Sequence, residues 1–207
     1  MITDIYYVIP EIFLSLFLMF LLILGVFKKN GSTLVYNLSL LILIITIPIL
    51  LNVPSTSEIL VFNESYKVDY LSIFIKILII FSTLFVLLTS SEYLKSTKIY
   101  NIEYPILILS SILGMMVMVS SNDLIVFYIG LELQSLALYV LASFNRDNEL
   151  SSESGLKYFV LSALSSGLLL YGCSLVYGFS SSTNFSEISF NYDQSNQGII
   201  FGMVFIL

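Results

Sequence analysis

An all-α polytopic membrane protein is the fold class this sequence predicts, and three observations predict it. Hydrophobic residues make up 57% of the 207-residue chain and charged residues only 11%, too little polar surface for a soluble domain of that length. Mean hydropathy is +0.97. The apolar residues fall in runs that reach or approach the ~20 residues needed to cross a bilayer. Basic residues collect in alternate loops, as they do in membrane proteins of fixed orientation. About six full transmembrane helices are predicted, plus the start of a seventh.

The first apolar segment covers about 8–27 and opens on Pro10 and Glu11. Proline in the first turn followed by an acid is an ordinary helix start. The run lacks a basic beginning and a small-residue cleavage site, so it does not read as a cleavable signal. Lys28, Lys29 and the Asn30–Gly31 turn end it. The second segment, about 33–51, is closed by Asn52 and Pro54, and a polar loop, about 52–68, follows. The third covers about 70–90 and the fourth about 104–121, with Pro105 in its first turn. A short break at Ser120–Asp123 leads to the fifth, about 124–144. The loop "NRDNELSSES" separates it from the sixth, about 154–178. A loop rich in Ser and Asn, about 179–196, precedes "GIIFGMVFIL", which is half the length of a span. Either another polypeptide completes this region or the sequence is a piece of a longer one.

Loop charge predicts orientation. Loops after the first, third and fifth segments carry Lys28, Lys29, Lys95, Lys98 and Arg146, against Lys67 alone on the other side. The N-terminus is therefore expected to face outward and the basic loops inward. Eight Lys plus Arg make no basic patch, which excludes nucleic-acid binding as a reading. The single cysteine, Cys173, lies in an apolar run, and histidine is absent. No disulfide framework, Cys metal cluster, phosphate loop or dinucleotide motif can be drawn. Ionisable chemistry must then use Glu, Asp, Lys or Tyr.

Glu132 is the residue that asks for a function. It lies about eight residues from one end of the fifth segment and about twelve from the other, roughly 12 Å or more from either interface. Its side chain is too short to snorkel that far, and a central charge costs ~2.5–3.5 kcal/mol on insertion scales. Tyr128, Glu132, Ser135, Tyr139 and Ser143 fall on one stripe less than a quarter-turn wide. A directed polar environment for a titrating carboxyl is one reading; a buried Glu hydrogen-bonded for assembly is the other.

Lys157 lies about one turn inside the sixth segment, with Leu161, Leu164 and Leu168 continuing its face. Interfacial anchor and functional charge are equally open for it. Lys76 lies about two turns into the third segment, on a stripe with Asp69, Ser72, Thr83 and Ser90. A bundle-facing polar strip and a snorkelling lysine both fit. Ser162–Ser166 and Ala163–Gly167 are small-xxx-small pairs, which predict close approach of a neighbouring helix.

"GLELQSLALYVLASFNRD" followed by "SSESGLKYFVLSALSSGLLLYG" resembles the N-type antiporter-like subunit of respiratory complex I, called subunit 2 in mitochondria. Related M- and L-type subunits and sodium/proton antiporters usually have Trp before the membrane glutamate; here it is Leu131, as in the N type. A looser likeness runs from "IPEIFLSLF" through "VDYLSIFIKIL" to the end. The resemblance implies about fourteen helices in the whole family member, with two inverted five-helix repeats, each containing a broken helix. It divides the chain into an N-terminal three-helix segment, 1–103, and an incomplete first repeat unit, 104–207. It matches Glu132 to the family's fifth-helix glutamate and Lys157 to a sixth-helix lysine, both in proton transfer, with Tyr128, Tyr139 and Lys76 in support. No cofactor is expected on this chain, NADH and ubiquinone being used elsewhere in the complex. The expected partners are membrane lipid, other membrane-arm subunits and a second polypeptide carrying the C-terminal half with the key seventh-helix lysine. Composition that favours Ile, Phe, Tyr, Asn, Ser and, over Arg, Lys, with no Trp or His, fits AT-rich coding and favours the mitochondrial inner membrane, with a bacterial inner membrane as the alternative. Two rival functions stand beside proton translocation: a structural half-subunit of the same complex, and a cation/proton antiporter subunit.

Overall fold

The computed structural model describes residues 2–27, 31–54, 58–97, 99–190 and 197–207. Lys28, Lys29 and Lys98 of the charge argument lie outside them. Each of the six apolar segments is helical. They are α2 (Ile9–Phe27), α3 (Ser32–Leu51), α4 (Tyr70–Ser96), α5 (Glu103–Val119), α6 (Leu124–Ala142) and α7 (Glu149–Ser180), preceded by a short α1 (Ile2–Tyr7). The final run forms α9 (Gln197–Ile206), after a short α8 (Phe185–Phe190). All but α5 of the six are long and apolar enough to cross a membrane. The 17 residues of α5 reach about 25 Å, just short of the hydrocarbon thickness. The fold class is as predicted; beyond the short α1 and α8 and a longer α4, two additions bear on the site.

The first addition is a β-hairpin within the polar loop 52–68. β1 (Ile59–Val61) pairs antiparallel with β2 (Tyr66–Val68), Ile59 opposite Val68 and Val61 opposite Tyr66. Its turn contains no glycine. Phe62, Asn63 and Glu64 all take positive φ, at 54°, 54° and 65°, a region unfavourable to residues with a Cβ. Tertiary contacts hold it there. The Glu64 carbonyl accepts from the side-chain amides of Asn122 (2.8 Å) and Asn184 (3.0 Å). Strands this short, with a turn that lacks Asn-Gly or Gly-Gly, give no local hairpin signal. The second addition lies in α7, which starts five residues before the predicted segment. Asn148 caps it, its side chain accepting from the Leu150 N–H at 3.0 Å. A helix of 32 residues is about 48 Å long, so Lys157 stands in its third turn and not its first.

Connections sort to two ends. At one, the Lys67 N–H donates to the Ser120 carbonyl, Asn122 N–H to Ser65, Leu124 N–H to Thr183 and Phe185 N–H to Asn122. The hairpin, the α5–α6 turn and the α7–α8 loop are thereby tied together. At the other, Arg146 pairs with Glu103 at 3.6 Å, joining the loop that follows α6 to the start of α5. Among the described basic residues, Lys95 and Arg146 therefore lie away from the end that holds Lys67, as the loop-charge pattern requires.

The core lies between α2, α3, α4 and α5, built on Leu14, Leu21, Leu43, Ile80, Leu87 and Leu109. α5 and α6 meet backbone to backbone. A Cβ added to Gly130 would stand 2.8 Å from the Met118 nitrogen and 2.9 Å from the Gly114 carbonyl oxygen. α7 and α9 meet in the same way at Gly172, where an added Cβ would stand 2.7 Å from the Gly202 carbonyl oxygen. This contact lies beyond the pairs predicted for close approach on α7, of which Ser162 is met by Tyr139 of α6. A Cβ added to Gly167, of the Ala163–Gly167 pair, or to Gly178 would meet nothing within 4 Å among the described residues.

Candidate functional site

α6 is aimed by its start. Asp123 Oδ1 accepts from the Ile125 N–H (2.7 Å) and the Val126 N–H (3.4 Å), capping the helix. Gly130 then sets one face against α5. Glu132, two residues on, points about 200° away. Tyr139, on the Glu132 side, donates from its hydroxyl to Ser162 Oγ on α7 at 2.5 Å. Its ring meets Tyr158 and Phe159 edge-on, centroids 4.9 and 5.8 Å apart. Ser143, at the end of the stripe, lies against Gly155, where an added Cβ would fall 3.0 Å from its Oγ. The polar stripe thus faces α7, and Tyr139 and Ser143 are its packed half.

Glu132 and Tyr128 are both half-buried. Ser135 turns its hydroxyl back to the Leu131 carbonyl at 2.8 Å, so it does not serve Glu132. Glu132 Oε1 is buried and has no hydrogen-bond partner among the described residues. A buried orphan oxygen is rare in folded proteins and calls for a specific explanation.

Lys157 does not supply the partner. It pairs with Glu153 one turn earlier on its own helix, at 2.5 Å, with 66% of its side chain exposed. Leu161, Leu164 and Leu168 on the same face are exposed as well. Among the described residues, no ion pair joins Lys157 to Glu132.

Lys76 is different. It is only 1% exposed, and it meets Glu11 of α2, itself 4% exposed. Its Nζ lies 2.7 Å from Glu11 Oε1 and donates to the Tyr66 hydroxyl at 2.9 Å. Tyr66 donates in turn to Glu11 Oε1 at 2.8 Å. Burial, then the Glu11 charge, pushes the Tyr66 phenol well above its ordinary value, so it stays a neutral donor. The bundle-facing reading of Lys76 is the observed one. The reading of Glu11 as an ordinary helix start is incomplete: it stands in the first turn of α2, but its carboxylate is half of a buried ion pair. A signal for this existed. Lys76 and Glu11 carry opposite charges at the same end of their helices, and a lysine inside an apolar helix needs a partner. Asp69, at the head of α4, completes a capping box with Ser72, accepting from its N–H at 2.7 Å.

The fold and the buried charges define the class: a polytopic membrane protein with ionisable groups held inside membrane-length helices, each a candidate functional site. The comparisons narrow that class. Residues 121–207 match the family described as NADH:quinone oxidoreductase/Mrp antiporter, TM. The chain is 66% identical over 201 residues to the NADH-quinone oxidoreductase subunit N of Pelagibacter ubique, a match covering 97% of the chain and 43% of that protein. It is 48% identical over 207 residues to the subunit N of Maricaulis maris, covering 99% and 43%. Among solved structures it superposes on a chain of "Respiratory complex I from Thermus thermophilus with bound Aureothin" with TM-score 0.78 and 25% identity, covering 96% of this chain and 42% of that one. A chain of an archaeal membrane-bound sulfane sulfur reductase shares the fold, with TM-score 0.82 at 16% identity. The chain thus resembles the N-type antiporter-like subunit over nearly its whole length, and it spans about 43% of the length of the curated relatives it matches. Those relatives are bacterial, and they do not support the mitochondrial placement. Residues with AT-rich codons report base composition, which does not distinguish the two compartments.

Proposed function

We propose that this chain belongs to a membrane-arm subunit of a proton-translocating NADH:quinone oxidoreductase, where Glu132 gains and loses a proton. The orphaned, buried Glu132 Oε1 carries the reading. A cation beside a carboxylate stabilises its ionised form, and that support ends when the cation withdraws. A cation that approaches and withdraws would therefore load and unload the group. Electron transfer from NADH to quinone would take place elsewhere in the complex and supply the drive.

The cation comes from outside the described residues, on a further segment or a second polypeptide. Tyr128 and Tyr139 line the stripe that leads along α7. Lys157 acts as a relay charge once it leaves Glu153, and Lys76 supports from the hairpin end. Residues 1–103 form a buttressing three-helix unit and 104–207 the start of the translocating unit. The location that the bacterial relatives support is the bacterial inner membrane, with the N-terminus outward by loop charge. Other membrane-arm subunits and lipid would cover the exposed apolar faces.

Replacing Glu132 by Gln in the assembled complex tests the proposal. Protons moved per electron should fall while complex abundance holds. Unchanged pumping would sink it, and a loss of abundance without a change in stoichiometry would favour the structural rival.

A further inference from the structure

A cleft opens at the end of the bundle that carries Arg146. α5 and α6 form its floor, where Ile106 and Tyr139 are buried. α2 packs on α5 and α7 packs on α6, so Leu22 of α2 and Phe159 of α7 stand at its two sides, both exposed. The cleft measures about 640 Å³, a size that takes a small molecule. A second hollow of about 520 Å³ adjoins it, lined by Asn101, Asn145 and Asp147. Glu103, Phe144 and Arg146 stand in the walls of both. An apolar cleft and a polar hollow thus meet at one ion pair.

That pair is loosely held. Arg146 and Glu103 are 3.6 Å apart, with 81% and 57% of their side chains exposed. The distance is beyond a hydrogen bond, and exposed pairs contribute little, so either group can turn to a ligand. Glu103 is the first residue of α5, and Arg146 follows the end of α6. Both therefore lie at the membrane surface, at the depth of lipid heads. A guanidinium grips a phosphate through two parallel N–H donors. Asp147 adds a second acid to the polar hollow. Two carboxylates around one guanidinium repel a head of net negative charge. They suit a head that carries a cation beside its phosphate. An uncharged amphiphile would leave all three charges unused.

We propose that this place binds one phospholipid whose head carries a phosphate and a primary ammonium, of the phosphatidylethanolamine kind. The phosphate lies on Arg146 and the ammonium on Glu103 and Asp147, in the polar hollow. One acyl chain runs down the cleft over Ile106, between Leu22 and Phe159. The lipid fills the gap between α2 and α7 and ties the start of α5 to the loop after α6. The site requires only that these helices span a membrane, and nothing in it depends on Glu132.

Photolabelling of the intact membrane protein in mixed-lipid bilayers tests the site. Two probes carry the same photoreactive acyl chain, one on phosphatidylethanolamine and one on phosphatidylglycerol. Labelled peptides are mapped by mass spectrometry in wild type, Arg146→Gln and the double variant Glu103→Gln/Asp147→Asn. In wild type the ethanolamine probe should label the cleft around Leu107 and Val140 about fivefold more than the glycerol probe, the ratio that one exposed charge contact gives. Arg146→Gln should lower cleft labelling by both probes, per molecule of protein. The double variant should bring the two probes level or favour the glycerol probe. Each ratio compares two probes on one protein, so a poor yield of folded variant does not move it. Equal labelling by the two probes in wild type, a ratio unchanged in the double variant, or a polypeptide segment filling the cleft in a map of the intact protein would overturn the proposal.

Discussion

Breaking the Glu11–Lys76 pair should be far more damaging than removing it. At 2.7 Å the attraction is about 6 kcal/mol in an effective dielectric of about 20. Desolvation of both groups, each buried to within 5% of its side-chain surface, offsets much of that. Lys76→Met leaves the Glu11 carboxylate with Tyr66 as its one remaining hydrogen-bond partner among the described residues, and a cost of about 3–5 kcal/mol is expected. Glu11→Gln leaves a buried ammonium and should cost a similar amount. The double variant removes both charges and keeps their approximate volumes, so it should return to within about 2 kcal/mol of wild type. The coupling between the two sites is then several kcal/mol. The assay is equilibrium unfolding of the purified membrane protein in SDS titrations for all four proteins. Single-variant losses that simply add would refute the reasoning, since the residues would then not interact.

Other outcomes follow from the same geometry. Gly130→Ala should cost about 1–3 kcal/mol by forcing α5 and α6 apart, because its Cβ would meet backbone at 2.8 and 2.9 Å; disulfide trapping between engineered cysteines on the two helices reads the separation. Tyr139→Phe should cost about 1 kcal/mol, and Ser162→Ala should add little on top of it, because both end one 2.5 Å hydrogen bond. Asp69 feels burial, which raises its pKa, but the Ser72 N–H and hydroxyl and then Lys67 prevail and hold it below its ordinary value. A depressed carboxyl stabilises the fold above its unfolded value of about 3.9, and that contribution is lost as pH falls through the folded value. Unfolding measured from pH 6 down to pH 3 should therefore show a decline that Asp69→Asn makes shallower.

The helices were legible because membrane length and apolar runs leave few alternatives: Lys28–Lys29, Asn52–Pro54, Pro105 and Asp123 punctuate them plainly. The hairpin was not, because Phe62, Asn63 and Glu64 hold positive φ through amides of Asn122 and Asn184, which are remote in sequence. At the site, the stripe from Tyr128 to Ser143 could be read from helical spacing alone, and its Tyr139 and Ser143 do face α7. Glu11 was hidden by its position. An acid in a first turn has a sufficient local explanation, and only the placement of Lys76 and Tyr66 shows another. Lys157 was left open for a physical reason: its exposure depends on which face of α7 is covered, and helical spacing within one segment does not say.

The direct test of proton handling at Glu132 is an infrared difference spectrum of the complete complex, taken as substrate is added. The account predicts a carboxyl C=O band that changes during turnover and is missing in Glu132→Gln. Turnover with that spectral region unchanged between wild type and Glu132→Gln would show that Glu132 keeps one protonation state, and would contradict the account.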